Sequence, residues 1–154
     1  MRILIVEDQQ EKKDELCHVL QDICGSDANI THISSLHGAI KEIARGTSYQ
    51  LVILDMSMPN YSLEDEIISP DMSEGYAGKE LLYQMMMRNK KYPTIVVTQY
   101  VSFKKGAISL SDLDTEFSRE FHDFYLGYVY YNYAVDEWKT SLGNFVKPLL
   151  RSDN

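Results

Sequence analysis

Basic residues are in short supply in this chain, and cysteines are scarcer still. Lys and Arg number 15 against 23 Asp and Glu, a net charge of −8, and only two cysteines occur in 154 residues. An acidic balance of that size argues against the phosphate backbone of a nucleic acid as a direct partner and favours solubility. Cys17 and Cys24 fall two turns apart on one face of a predicted helix, too far apart for a disulfide and without CxxC spacing. They read as buried free thiols in a reducing compartment. Long apolar runs are missing as well. The start, "MRILIVEDQQ", has one short apolar stretch, Ile3–Val6, which is too brief for a signal peptide or a membrane span. The expectation is a soluble, cytoplasmic protein with no membrane partner. His18, His32, His37 and His122 are dispersed, with no HExxH or metal-finger spacing, and there is no glycine-rich phosphate loop, repeat, linker or low-complexity tract.

What the chain does have is alternation. With 44% hydrophobic residues it can build a real core, and residues 1–154 read as a single domain. Ile3–Val6 predicts a buried strand, and Leu16, Val19, Leu20 and Ile23 follow at helical spacing up to "CGSD". "ITHI" (30–33) is a second strand. "SSLHGAIKEIARG" is a helix capped by Ser34 or Ser35 and ended by Gly46. Leu51–Leu54 is the third strand, 78–88 a helix, "TIVVT" (94–98) the fourth strand and 111–124 a helix. "GYVYYN" (127–132) is the fifth strand and 135–150 the last helix. Five strand–helix alternations with continuously apolar strands imply a doubly wound, five-stranded parallel sheet covered on both faces. Two connections are long for such a fold, at about 60–77 and 99–110. The first carries Glu64, Asp65, Glu66, Asp71 and Glu74 with no basic residue.

Both long connections leave from the carboxyl edge, where ligands bind in open α/β sheets. At that edge the ends of strands one and three lie side by side, so Glu7 and Asp8 should meet Asp55. Three uncompensated carboxylates repel and raise one another's pKa; a hard divalent cation such as Mg²⁺ resolves the conflict. The plainer alternative is that each acid caps the helix after its strand. Thr98 brings a hydroxyl to the same edge, either for a metal-held anion or for local backbone groups.

Taken in order, "ILIVED" (3–8), "LVILDMSMP" (51–59), "IVVT" (95–98) and "GYV" (127–129) resemble the receiver domain of two-component response regulators over essentially the whole chain. The resemblance implies the (βα)5 flavodoxin-like receiver fold. By position it implies that Glu7, Asp8 and Asp55 hold Mg²⁺ together with the main-chain carbonyl of Ser57. It makes Asp55 the phosphoacceptor, Thr98 the hydroxyl that follows the phosphoryl group, and Tyr128 the switch aromatic. A carboxylate nucleophile, a neutralising cation and a reporting donor form a coherent chemical set. The family also carries a lysine shortly after "GYV"; here Tyr131 and Asn132 stand there, and no lysine occurs between Lys105 and Lys139. A tyrosine donates one hydrogen bond but brings no positive charge. Gln99 replaces a usually small residue after Thr98, and the acidic connection begins beside Asp55.

The resemblance therefore implies a stand-alone receiver rather than an enzyme. It would take a phosphoryl group from a histidine kinase or phosphotransfer protein, and its output would be binding to a protein partner or a second copy. The expected surface is the fourth helix, fifth strand and fifth helix, where "FYLGYVYYNYAVDEW" is dense in aromatics. The alternative is a phosphorylation-independent pseudo-receiver acting as an interaction module. A Mg²⁺-dependent phosphohydrolase is disfavoured, because Ser57 stands where such enzymes place a second acid.

Overall fold

In a computed structural model of the chain, residues 1–56, 76–103 and 108–152 are described. The chain runs β1 (Arg2–Val6), α1 (Gln10–Cys24), β2 (Asn29–Ile33), α2 (Leu36–Ala44), β3 (Leu51–Leu54) and α3 (Tyr76–Met87). It continues through β4 (Thr94–Thr98), β5 (Ser102–Phe103), β6 (Ile108–Ser109), α4 (Leu110–Glu120), β7 (Tyr125–Tyr130) and α5 (Glu137–Ser152).

Five of these strands form one parallel sheet in the order β2–β1–β3–β4–β7. The order reverses at β1, so β1 and β3 are neighbours while their following helices leave to opposite faces. Alternating side chains feed two cores. Leu4, Val6, Val52, Leu54 and Val96 meet α2, α3 and α4 on one face. Ile3, Ile5, Leu51, Ile53, Ile95 and Val97 meet α1 and α5 on the other. Both faces being covered explains why β1 and β3 read as unbroken apolar runs. Each such side chain, once buried, contributes about 1.5–3 kcal/mol of transfer free energy.

Several boundaries differ from the sequence expectation, each for a local reason. Ser35, not Ser34, caps α2, its hydroxyl accepting from the Gly38 amide at 3.1 Å. The helix expected over 111–124 ends at Glu120, because Phe121 and Phe124 continue the apolar pattern through a turn closed by the Phe124 N–H on the Phe121 carbonyl, 3.1 Å. Strand β7 starts at Tyr125, two residues before "GYV", because a bulge opposite Thr94 and Ile95 throws Leu126 outward. Gly127, next to it, has φ +148°, and a Cβ there would lie 2.7 Å from Phe145 Cζ. Glycine is required at that position by conformation and by space alike. Cys17 and Cys24 are only partly buried, against the expectation of buried thiols, since they lie on the flank of the α1 stripe formed by Leu16, Val19 and Leu20.

The connection expected over 99–110 contains a short antiparallel ladder, Ser102 opposite Ser109 and Phe103 opposite Ile108. It feeds directly into α4 through a capping box. The Ser109 hydroxyl accepts from the Asp112 amide, and the Asp112 carboxylate accepts from the Ser109 amide. Ser57 and most of the acidic connection over 60–77 lie outside the described residues, as do residues 104–107.

Candidate functional site

Parallel pairing brings the ends of β1 and β3 into register, Val6 beside Leu54, and the Asp55 amide donates to the Val6 carbonyl at 3.0 Å. The next residue on each strand is therefore an acid. Oxygens of Glu7, Asp8 and Asp55 lie within 4.8 Å of one another. Glu7 and Asp55 are buried, Asp55 with 4% of its surface exposed, whereas Asp8 faces solvent. The expected meeting of the three carboxylates is what the fold brings about.

Glu7 is held from three sides. Its Oε2 accepts from the amides of Asp8 (3.0 Å) and Gln9 (3.2 Å), which caps the entry to α1; the side chain of Gln9 makes no cap of its own. His32 Nε2 lies 2.7 Å from the Glu7 carbonyl and donates to it. The third contact comes from an unexpected residue. Lys12, in the first turn of α1, is 1% exposed, and its Nζ reaches Glu7 Oε1 at 2.5 Å and Asp55 Oδ1 at 3.2 Å. The same ammonium donates to the Val97 carbonyl at 2.7 Å. Glu7 Oε1 has no other polar partner among the described residues. Burial first, and the Asp55 charge second, push the Glu7 carboxyl up to about 8, against the opposing pull of Lys12.

The charges of this cluster indicate what it can hold. Three carboxylates converge on one ammonium, two of them buried and the third, Asp8, open to solvent, so acid outnumbers base in a small space. A hard divalent cation fits this donor set, with Asp8 on the open side. The expected Ser57 carbonyl ligand lies outside the described residues.

The remaining sequence candidates divide. Thr98 is fully buried at the end of β4, where its Oγ1 accepts from the Tyr100 amide at 3.2 Å and its carbonyl accepts from the Tyr131 amide at 2.8 Å. Tyr128 pairs with Val96 on the edge strand and is exposed. Tyr131 is buried, and its hydroxyl donates to Glu15 Oε2 at 2.9 Å. Burial and the Glu15 contact push that phenol well above its ordinary range. The Tyr131 ring packs on Trp138, centroids 4.9 Å apart, and lies 5.7 Å from Lys12 Nζ. Gln99 lines a cavity of about 370 Å³ with Lys12, Tyr131 and Asn132, and its amide reaches the Tyr100 hydroxyl at 3.4 Å. No lysine closely follows "GYV", but the structure brings one to this pocket from elsewhere in the chain. It is brought by α1 instead of by the segment after the last sheet strand.

A doubly wound sheet with an acid cluster and a buried lysine at its switch point defines a narrow class of α/β proteins. No family model matches the chain. It is 30% identical over 146 residues to protein y4jR of Sinorhizobium fredii, covering 94% of this chain and 95% of that one. It is 28% identical over 144 residues to the Detocs response regulatory protein DtcB of Enterobacter cloacae, covering 92% and 95%. Among solved structures, the response regulatory domain of protein mrkE from Klebsiella pneumoniae superposes with TM-score 0.65 at 16% identity, over 99% of this chain and 97% of that one. The Mn²⁺-bound form of response regulator Rcp1 superposes with TM-score 0.59 at 16% identity, over 93% and 89%. The chain has the receiver-domain fold of response regulators and is similar over nearly its whole length to a response regulatory protein.

Proposed function

We propose that this receiver accepts a phosphoryl group on Asp55 in a divalent-cation-dependent way and signals by changing its affinity for a protein partner. The observation that carries the reading is the convergence of Glu7, Asp8 and Asp55 oxygens within 4.8 Å at the switch point. Asp55 is the nucleophile. One of its oxygens forms the O–P bond as the N–P bond of a donor phosphohistidine breaks, the electron pair staying on the donor imidazole. The donor would be a histidine kinase or phosphotransfer protein. Glu7, Asp8 and Asp55 are the residues that would hold Mg²⁺, which when bound neutralises phosphoryl oxygens. That a protein of this fold, Rcp1, has a Mn²⁺-bound form supports a divalent ion as ligand. Burial of Asp55 keeps bulk water from the acyl phosphate, and buried Thr98 supplies a hydroxyl at the adjoining strand end. No described helix is long and apolar enough to cross a membrane.

Output through protein binding is supported by the edge strand. Tyr128, Tyr130 and Tyr133 are exposed, while Phe124, Tyr125, Tyr131 and Trp138 of the same aromatic stretch are buried. Rigid amphipathic side chains of this kind anchor interfaces. The phosphorylation-independent reading is favoured by one specific observation, the ammonium already seated against Asp55. Incubation with Mg²⁺ and acetyl phosphate separates the two. The expected result is one added phosphoryl mass, absent in Asp55→Asn and on chelation. No mass gain from acetyl phosphate or from a phosphohistidine donor would leave the interaction-module reading standing.

A further inference from the structure

Among the described residues Lys12 is the one lysine that is almost wholly buried, and it is buried against carboxylates. We infer that Lys12, reaching in from the first turn of α1, is the cationic residue that binds the phosphoryl group on Asp55, with the Tyr131 ring as its aromatic backing. This rests on the phosphoacceptor reading and extends it to a residue from a different element than the resemblance implies.

Three observations carry the inference. The Lys12 ammonium lies 3.2 Å from Asp55 Oδ1, an atom of the group that would react, and a phosphoryl group there brings more negative charge within reach. Its stem is fixed. Lys12 shares the inward stripe of α1 with Leu16, Val19 and Leu20, and the Val97 carbonyl holds one of its three N–H donors at 2.7 Å. That leaves its position determined while donors remain to be redistributed from Glu7 to a phosphoryl oxygen. The third is the pairing of two departures. Where the resemblance expects a lysine, Tyr131 turns its hydroxyl to Glu15 and its ring toward Lys12 Nζ, 5.7 Å away. An aromatic wall stabilises an ammonium without neutralising it. The positive charge has thus moved from one side of the pocket to the other, not vanished. Tyr131 acts through Lys12 and is a positioning residue.

The test uses the whole chain and beryllofluoride with Mg²⁺, read by the fluorescence of Trp138, which packs on Tyr131. Wild type is expected to bind. Lys12→Met is expected to weaken beryllofluoride by about tenfold or more, the loss of one charge-assisted hydrogen bond, while Mg²⁺ alone binds no more weakly than to wild type. Lys12→Arg keeps the charge and should recover part of the loss. Equal beryllofluoride affinity in wild type and Lys12→Met would overturn the role of Lys12 and leave Asp55 as acceptor intact. Failure of wild type to bind would instead overturn the acceptor reading, and this inference with it. Should Lys12→Met not fold, the ¹⁵N-labelled ammonium of Lys12 in wild type decides. A changed resonance on adding beryllofluoride supports the contact, and an unchanged one in a protein that binds overturns it.

Discussion

Removing the Lys12 charge should destabilise the metal-free protein strongly, and more at high pH than at low. In Lys12→Met the stem is replaced by an apolar chain of similar shape, so packing against Leu16 and Tyr131 is largely kept. What is lost is the counter-charge to Glu7 and Asp55, both buried. Breaking a buried ion pair from one side costs about 3–5 kcal/mol. For a chain of this size that is a fall in Tm of roughly 6–20 °C, from about 2–4 °C per kcal/mol. The pH dependence follows from Glu7. Burial and Asp55 hold its carboxyl above the unfolded value of 4.5, toward about 8, so the folded state keeps a proton that the unfolded chain releases. Stability from that proton is full at pH values below 4.5 and is lost as pH rises through this window. Without the Lys12 ammonium the Glu7 carboxyl rises further, so the loss continues to higher pH. Urea titrations with chelator at pH 5 and pH 8 measure this directly. Adding Glu7→Gln to Lys12→Met should recover stability at pH 8, because Gln is buried beside Asp55 without having to take up a proton on folding. A cost below about 1 kcal/mol at pH 8 would refute the view that Lys12 neutralises this cluster.

Three smaller perturbations probe the frame around the site. Gly127→Ala should cost about 1–3 kcal/mol in urea unfolding, since its Cβ would sit 2.7 Å from Phe145 Cζ at a φ of +148°. Tyr131→Phe deletes the hydroxyl that donates to Glu15 and should cost about 1 kcal/mol, with beryllofluoride affinity unchanged because the ring remains over Lys12. Ser109→Ala removes half of the α4 capping box and should cost roughly 1 kcal/mol, seen as faster hydrogen exchange in the first turn of that helix.

The acid cluster was legible in the sequence because two rules compound. Apolar runs at 3–6 and 51–54 identify strands covered on both faces, and a doubly wound order makes the ends of the first and third strands neighbours. Any acids that follow those strands must then meet. The bulge at Leu126 was not legible in this way, since it sits beside a contact between residues far apart in sequence, Gly127 against Phe145. Lys12 is a different kind of miss, because its signal was present. Positions 12, 16, 19, 20 and 23 share one helical face, and four of the five are apolar. A lysine on an apolar stripe is ordinarily a snorkelling surface residue. Here the stripe points under the sheet edge where three carboxylates converge, and the partner that makes burial tolerable is already demanded by the acids themselves. An acid cluster in need of a counter-charge and an oddly placed lysine one helical turn beyond it account for each other, and the lysine becomes readable only once the acids are placed.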